Sequence, residues 1–235
     1  MPRTLAVLAT YNERENLGPL VEAILGLGIS GLDVLVVDDG SPDGTGELAD
    51  ALAARHPEVR VVHREGKLGL GTAHVAAMRY AEEQGYDFAV TMDADFSHDP
   101  KYLPDILARR DEADLVLGSR YVPGGGVRNW GLRRRLMSRG ANAFVRLFLG
   151  LRPRDCSGAY RCYRVAVLRR IDFGQVVATG YAFQEEIAWR MQRLGARIVE
   201  VPIVFEDRRR GKTKMSWREI VGLFCTVLRL WWRGR

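Results

Sequence analysis

The 235-residue chain is 47% hydrophobic and 27% charged, which excludes a disordered or fibrous protein and allows one large α/β domain. Its three cysteines, Cys156, Cys162 and Cys225, make no C-x-x-C pair; a disulfide framework or zinc site is not expected, and a reducing compartment fits. The net charge of +6 is concentrated in two places: Arg208 to Arg235 holds nine Lys or Arg against one acid, Glu219, and an acid-free stretch from Leu115 to Arg154 holds nine arginines. Such clustering points to an anionic partner, either phosphate groups, nucleic acid or a membrane surface.

The first half of the chain alternates between two periodicities. "TLAVLAT" (4–10) reads as a strand and not as a signal peptide. Further β-rich runs follow at 33–40, 59–64, 88–95 and 114–120, with helical spacing at 14–27, 44–55, 71–84 and 100–110 between them. Strands and helices in this alternation predict βαβ units and a mainly parallel sheet. The strands are apolar on both faces, as a sheet covered on both sides requires.

After Arg120 the pattern changes. "YVPGGGVRNWG" reads as a Gly-rich loop, and 133–149 as a basic amphipathic helix. "SGAYRCYR" and "ARIVEVPIVF" (196–205) are expected to extend the sheet. On a helix of ~100° per residue, the tail places Arg218, Glu219, Gly222, Thr226, Arg229 and Arg233 in one stripe, with apolar residues and three tryptophans around the rest. Arg229 interrupts the apolar run, so this helix is expected to lie on a membrane rather than cross it. Docking on the protein's own core is the alternative.

In open α/β sheets, chemistry collects at the carboxyl ends of the strands. The first strand ends in "TYNE", the second in "DDGS", the fourth in "DAD" and the fifth in "GSR". Carboxylates one residue apart, Asp93 and Asp95, suit a hard divalent cation bridging protein to a nucleotide diphosphate. "GKLGLGTA" (66–73) opens a helix where backbone N–H groups can meet phosphate, but it lacks Walker or Rossmann spacing, and structural turns explain most such loops. The four histidines are dispersed without a zinc pattern, and His98 is expected to shape the turn after the acidic pair.

"TYNERENL", "DDGSPDGT", "GLGTA", "MDADFSH", "GSRYVPGG", "SRGAN" and "FEDRRRGKTKMS" occur in an order and at spacings that resemble dolichyl-phosphate (polyprenyl-phosphate) mannose synthases, family 2 glycosyltransferases. The likeness runs from Thr4 to about Ser216. It implies an α/β GT-A (Rossmann-like) fold over residues 1–215, with a mainly parallel sheet flanked by helices. Residues 216–235 are then a basic amphipathic helix at the membrane interface.

The resemblance also implies residue roles. The nucleotide sugar falls to Ala9, Tyr11, Glu13, Val37, Asp39, Lys67, Asp93, Ala94, Asp95, Arg120, Gln184, Glu186, Arg208 and Lys214; of these, Asp95, Arg120, Arg208 and Lys214 carry the catalytic work. Asp93, Asp95 and Ser97 are the implied ligands of Mg²⁺ or Mn²⁺. Arg120, Arg134 and Ser138 are expected at the acceptor phosphate, the last two lying four apart on one helical face. Ala9 stands where the family usually has proline.

The implied reaction moves mannose from GDP-mannose to a dolichyl or polyprenyl phosphate with inversion, giving a β-mannosyl phosphate lipid and GDP. The acceptor is already anionic, so no strong general base is required. The implied enzyme is peripheral at the cytoplasmic face of a membrane, has no transmembrane helix, and is a candidate for a separate membrane-anchor protein. Competing readings are a UDP-glucose-dependent polyprenyl-phosphate glucosyltransferase, a basic nucleic-acid-binding protein and a sugar-nucleotide-binding regulator without catalysis.

Overall fold

A computed structural model of the chain describes residues 1–207 and 217–234, with the backbone alone for 217–220. The elements in chain order are β1 (Thr4–Thr10), α1 (Arg14–Leu25), β2 (Leu32–Asp38), α2 (Thr45–Arg55), β3 (Val59–His63), α3 (Leu70–Glu83), β4 (Phe88–Asp93), α4 (Leu103–Ala108) and β5 (Leu115–Ser119). They continue with β6 (Gly126–Arg128), α5 (Leu132–Leu149), β7 (Arg161–Arg164), α6 (Val165–Leu168), α7 (Phe183–Arg193), β8 (Ile198–Pro202), β9 (Val204–Glu206) and α8 (Trp217–Gly234).

The main sheet has the order β3-β2-β1-β4-β7-β5-β8, and β7 alone runs antiparallel to its neighbours. Alternation within each strand feeds two cores. Ala6 and Leu8 face Leu17, Leu20 and Ile24 of α1, whereas Leu5 and Val7 pack with Ala73 and Ala77 of α3. Beyond β4, a third cluster joins β5, α5, α7 and α8 through Leu117, Val145, Ile187, Val227 and Leu230.

Strand order reverses between β1 and β4, and open α/β sheets bind their ligands at such a switch point. The parallel register pairs Ala9 with Asp93 and Thr10 with Asp38, so three polar strand ends meet there.

Two readings of the sequence change in detail. The segment 196–205 is not one strand. Pro202 brings no N–H to the ladder, and at Ile203 the chain passes from one sheet to the other. The Ile203 amide donates to the Ser119 carbonyl at 3.0 Å, while its carbonyl accepts from the Gly126 amide at 3.0 Å. Beyond that point β9 pairs with β6, a strand formed inside the expected Gly-rich loop. The helix expected over 100–110 divides into a 3₁₀ turn, Pro100–Tyr102, and α4.

The "GLGTA" glycines serve packing. Gly69 has φ of +101°, and a Cβ there would lie 2.6 Å from the Thr179 carbonyl oxygen. A Cβ on Gly71 would lie 2.7 Å from the Ala178 oxygen, and the Gly71 amide donates to Thr179 O at 2.8 Å. The Thr72 and Ala73 amides both turn back to Gly69 O. These three amides are already bonded within the protein, as the structural-turn reading of the loop has it. Gly71→Ala is expected to destabilise the fold by about 1–3 kcal/mol through overpacking against the 178–180 backbone, read as a lower urea midpoint with an unchanged m value.

Candidate active site

At the switch point a cavity of about 190 Å³ is lined by Ala9, Thr10, Tyr11, Asp39, Lys67 and Thr179 among others. The two aspartates at the end of β2 differ sharply. Asp38 is tied to the protein: Oδ1 accepts from Thr10 Oγ1 at 3.0 Å and Ser41 Oγ at 2.5 Å, and Oδ2 accepts from the Ser41 amide at 3.0 Å. Asp39 lines the cavity, and its Oδ1 accepts from Arg64 Nη1 at 2.7 Å. Burial raises the Asp39 carboxyl above its ordinary value, and the Arg64 charge offsets this only in part.

Lys67 Nζ lies 4.7 Å from the Tyr11 ring centroid, so the cavity mouth presents a cation on an aromatic face. Glu13 is buried, and its Oε2 accepts from Asn16 Nδ2 at 2.8 Å. Val37 is fully buried in the core with Leu5 and Val7, so its side chain offers the cavity no contact.

The acidic motif folds into a tight turn with Phe96 at φ of +63°. Ser97 Oγ donates to Asp95 Oδ1 at 2.5 Å and lies 3.4 Å from Asp93 Oδ2, which brings both carboxylates around one hydroxyl. The Ser97 amide also donates to Asp95 Oδ1 at 3.1 Å. Ala94 between them is buried, whereas the Asp93 side chain keeps 35% of its surface exposed.

His98 Nδ1 accepts from the Asp93 amide at 3.0 Å, so the 3.4 Å approach of Asp93 Oδ2 to the same nitrogen sets lone pair against lone pair and forms no ion pair. Burial lowers the His98 pKa, and Tyr160 and Phe205 enclose the ring. The histidine braces the turn. Among the described residues no cluster of three His, Cys, Asp or Glu side chains could hold a metal. The donor set is two carboxylates and a hydroxyl, all oxygen. That suits Mg²⁺ or Mn²⁺, which take one or two protein carboxylates and complete their shell with phosphate and water.

Arg120 follows β5. Its Nε and Nη2 meet Asp155 Oδ2 and Oδ1, each at 2.7 Å, Nη2 also donates to Ser157 Oγ at 2.8 Å, and its amide donates to Asp155 Oδ2 at 2.9 Å. Burial pushes the Asp155 carboxyl up, but the Arg120 charge and hydrogen bonds outweigh this and hold it below its ordinary value. This pair takes one edge of the guanidinium, so Arg120 is a far more constrained group than its motif suggests. Arg134 Nη1 binds Asp207 Oδ2 at 2.7 Å, and its guanidinium stands 4.1 Å from the Trp130 ring centroid. Ser138 Oγ accepts from Tyr121 OH at 2.7 Å.

Gln184 and Glu186 are buried in the first turn of α7. Gln184 Oε1 accepts from Tyr163 OH at 3.1 Å. Glu186 Oε2 accepts from the Val177 and Ala178 amides at 3.0 and 2.9 Å, and Oε1 pairs with Arg190 at 2.7 Å. Glu186 therefore shapes the 177–181 wall of the cavity from behind. Arg208 and Lys214 lie outside the described residues.

Sequence reading passed over Asp155, Ser157, Asn142 and Arg64. A signal for Asp155 existed, since it is the first acid after the arginine-rich stretch that begins at Leu115. Arg64 ends β3 on the same rim without any motif to mark it.

This mainly parallel sheet, with acids at its switch point, is a Rossmann-like GT-A fold. Among solved structures it is similar to mannosyl-3-phosphoglycerate synthase from Rubrobacter xylanophilus, with TM-score 0.72 and 20% identity over 99% of this chain and 74% of that one. It also resembles glucosyl-3-phosphoglycerate synthase from Mycobacterium tuberculosis in complex with Mn²⁺, UDP and glucosyl-3-phosphoglycerate, with TM-score 0.69 and 22% identity over 97% of this chain and 79% of that one. The chain belongs to glycosyl transferase family 2, whose model matches residues 6–172. It is 49% identical over 214 residues to undecaprenyl-phosphate mannosyltransferase of Micrococcus luteus, covering 91% of this chain and 88% of the relative. It is 47% identical over 235 residues to polyprenol monophosphomannose synthase of Mycolicibacterium smegmatis, covering 99% of this chain and 88% of the relative.

Asp155→Asn is expected to destabilise the protein by about 3–5 kcal/mol by leaving the Arg120 charge buried without its partner, measured by urea unfolding at pH 7. Because the folded Asp155 pKa lies below the ordinary 3.8, the pair's contribution is complete above that pH and lost as pH falls through the folded value. Glu185 has the opposite sign. Burial pushes its carboxyl up to about 7, and its Oε2 has no hydrogen-bond partner. Its ionisation therefore costs stability as pH rises from the ordinary 4.5 to about 7. Glu185→Gln is expected to flatten that part of the pH–stability profile.

Proposed function

We propose that the chain transfers mannose from GDP-mannose to the phosphate of a dolichyl or polyprenyl phosphate with inversion, giving a β-mannosyl phosphate lipid and GDP. The likeness to two polyprenyl-phosphate mannose enzymes supports the substrate class. The observation that carries the chemistry is the rim itself. Asp93 and Asp95 converge on Ser97 Oγ beside a cavity walled by Tyr11, Asp39 and Lys67.

In this reading Ala9, Tyr11, Glu13, Asp39 and Lys67 receive the nucleoside, Asp39 and Glu13 as acceptors and Tyr11 with Lys67 at the mouth. Val37 serves as part of the floor that supports them. Asp93, Asp95 and Ser97, with Ala94 keeping the turn compact, would hold Mg²⁺ or Mn²⁺, which when bound supplies positive charge to the leaving diphosphate. Arg208 and Lys214 keep the phosphate role that their motif implies. Arg120, Arg134 and Ser138 orient the acceptor phosphate, whose oxygen attacks the anomeric carbon as the bond to GDP breaks. Gln184 and Glu186 act through the loop that walls the cavity.

The lipid acceptor requires the rim to reach a bilayer surface. Among the described residues no helix is long and apolar enough to cross a membrane. The tail helix divides into three stripes. Leu223, Val227, Leu230 and Trp231 pack inward, with Phe224 and Trp231 against Phe144 and Phe148 of α5. Arg229 and Arg233 form a polar edge, while Val221, Leu228 and Trp232 remain exposed. Leu132, Leu136 and Leu147 of α5 are exposed as well, among Arg133, Arg135 and Arg139. One face of the tail docks on the protein's own core, and the exposed apolar face supports the assignment to a membrane surface. We assign residues 216–235, together with α5, to the bilayer surface and residues 1–215 to catalysis, with the enzyme peripheral at the cytoplasmic face.

Three experiments test this. Radiolabelled GDP-mannose is expected to transfer label to polyprenyl phosphate, in a product soluble in chloroform, at least 100-fold faster than UDP-glucose; preference for UDP-glucose overturns the donor assignment. Chelation by EDTA and Asp95→Ala are each expected to remove at least 99% of the activity, and an undiminished Asp95→Ala enzyme overturns the site. Leu228→Glu with Trp232→Glu is expected to abolish co-sedimentation with anionic vesicles and leave the melting temperature within a few degrees.

A further inference from the structure

Helix α5 carries Arg134 and Ser138 on a largely exposed first half, yet Asn142, one turn beyond Ser138, is only 4% exposed. An asparagine inside a helix is a poor helix former, and burying its amide is costly unless each polar atom is bonded. Here both ends are. Oδ1 accepts from the Cys156 amide at 2.6 Å, and Nδ2 donates to Ser138 O at 2.9 Å and to Ser157 Oγ at 3.2 Å.

The same Ser157 Oγ accepts from Arg120 Nη2 at 2.8 Å, and the neighbouring Asp155 holds the other contacts of that guanidinium. A hydrogen-bonded chain therefore runs from α5 through Asn142 and Ser157 to Arg120, whose guanidinium Asp155 clamps at Nε and Nη2. A second link, Tyr121 OH to Ser138 Oγ at 2.7 Å, spans the same gap. Buried polar networks of this kind fix a single geometry when every member is satisfied.

We propose that Asn142 is a positioning residue that sets the distance between Arg120 and the Arg134–Ser138 face of α5, and so defines the seat of the acceptor's phosphate. Asn142 itself touches no substrate. This rests on the acceptor roles given above to Arg120, Arg134 and Ser138. Removal of the amide lets α5 drift from the 155–158 loop, while the nucleoside cavity on the far side of Asp93 keeps its walls. The loss should fall on the acceptor and not on the donor.

The test is steady-state kinetics of Asn142→Ala and Ser157→Ala with both substrates varied. Asn142→Ala is expected to raise the KM for polyprenyl phosphate about tenfold and leave the KM for GDP-mannose within twofold. Ser157→Ala is expected to move the same parameter in the same direction, with the double variant no worse than the poorer single one because the two act through one network. An unchanged KM for the lipid, or equal rises for both substrates, overturns the proposal. If Asn142→Ala fails to fold, Ser157→Ala decides it on the same criterion. If wild-type protein transfers no mannose from GDP-mannose, the functional reading has failed, and the brace is judged by amide hydrogen exchange alone. Faster exchange at Cys156 and Arg120 in Asn142→Ala upholds the brace, and wild-type protection at both refutes it.

Discussion

A carboxylate at the end of a strand buried on both faces has little water to lean on, and the rim of this sheet carries several. How each is satisfied decides what it can do. Asp38 takes bonds from Thr10 and Ser41 and ties the ends of β1 and β2 together. Asp155 takes the Arg120 guanidinium and amide. Asp39 is half of a pair with Arg64 and still faces the cavity. Asp93 and Asp95 share Ser97 between them, with Asp93 partly in solvent. The first two hold the rim together, and the others give it a surface on which charge can be received.

That division explains which parts of the molecule could be read from sequence. Alternating runs such as "TLAVLAT" are legible because the pleat sends successive side chains to opposite cores, and the spacing of α1 and α3 matches those same cores. The strand-end rule then places Asp38, Asp39, Asp93 and Asp95 on one rim without coordinates. The fate of each carboxylate was not legible. Asp38 and Asp39 are adjacent and identical in kind, and only the partner, Ser41 in one case and Arg64 in the other, separates them. Glu186 stands in a motif that looks like a ligand contact, but two backbone amides and Arg190 occupy it. Long-range pairing of this sort has no period to detect.

Glycine and proline signals depend on tertiary partners in a related way. "GLGTA" looks like a phosphate cradle because a helix N-terminus with glycines offers amides. The glycines here admit the 178–180 backbone, which then takes the Gly71 amide itself. Pro202 sits inside what reads as one strand, yet its missing N–H marks where the chain leaves the main sheet for β9. In both cases the local signal is real and a tertiary partner decides its meaning.

The electrostatics of the rim also bear on how such a site could work. His74 and His98 lie near it but are fully enclosed. Burial lowers the His74 pKa to about 4, with Arg161 adding to the effect, and lowers that of His98 as well. Each is held neutral at physiological pH with its ring inside the protein, so neither is placed to exchange a proton with a ligand. Among the described residues the rim carries Arg64, Lys67, Arg120 and Arg134 as cations. A surface made of positive groups and two converging carboxylates is suited to gathering phosphate esters and a divalent ion. An acceptor that arrives already ionised asks for that arrangement, because bringing one anion to another is the barrier that remains once no proton has to be removed.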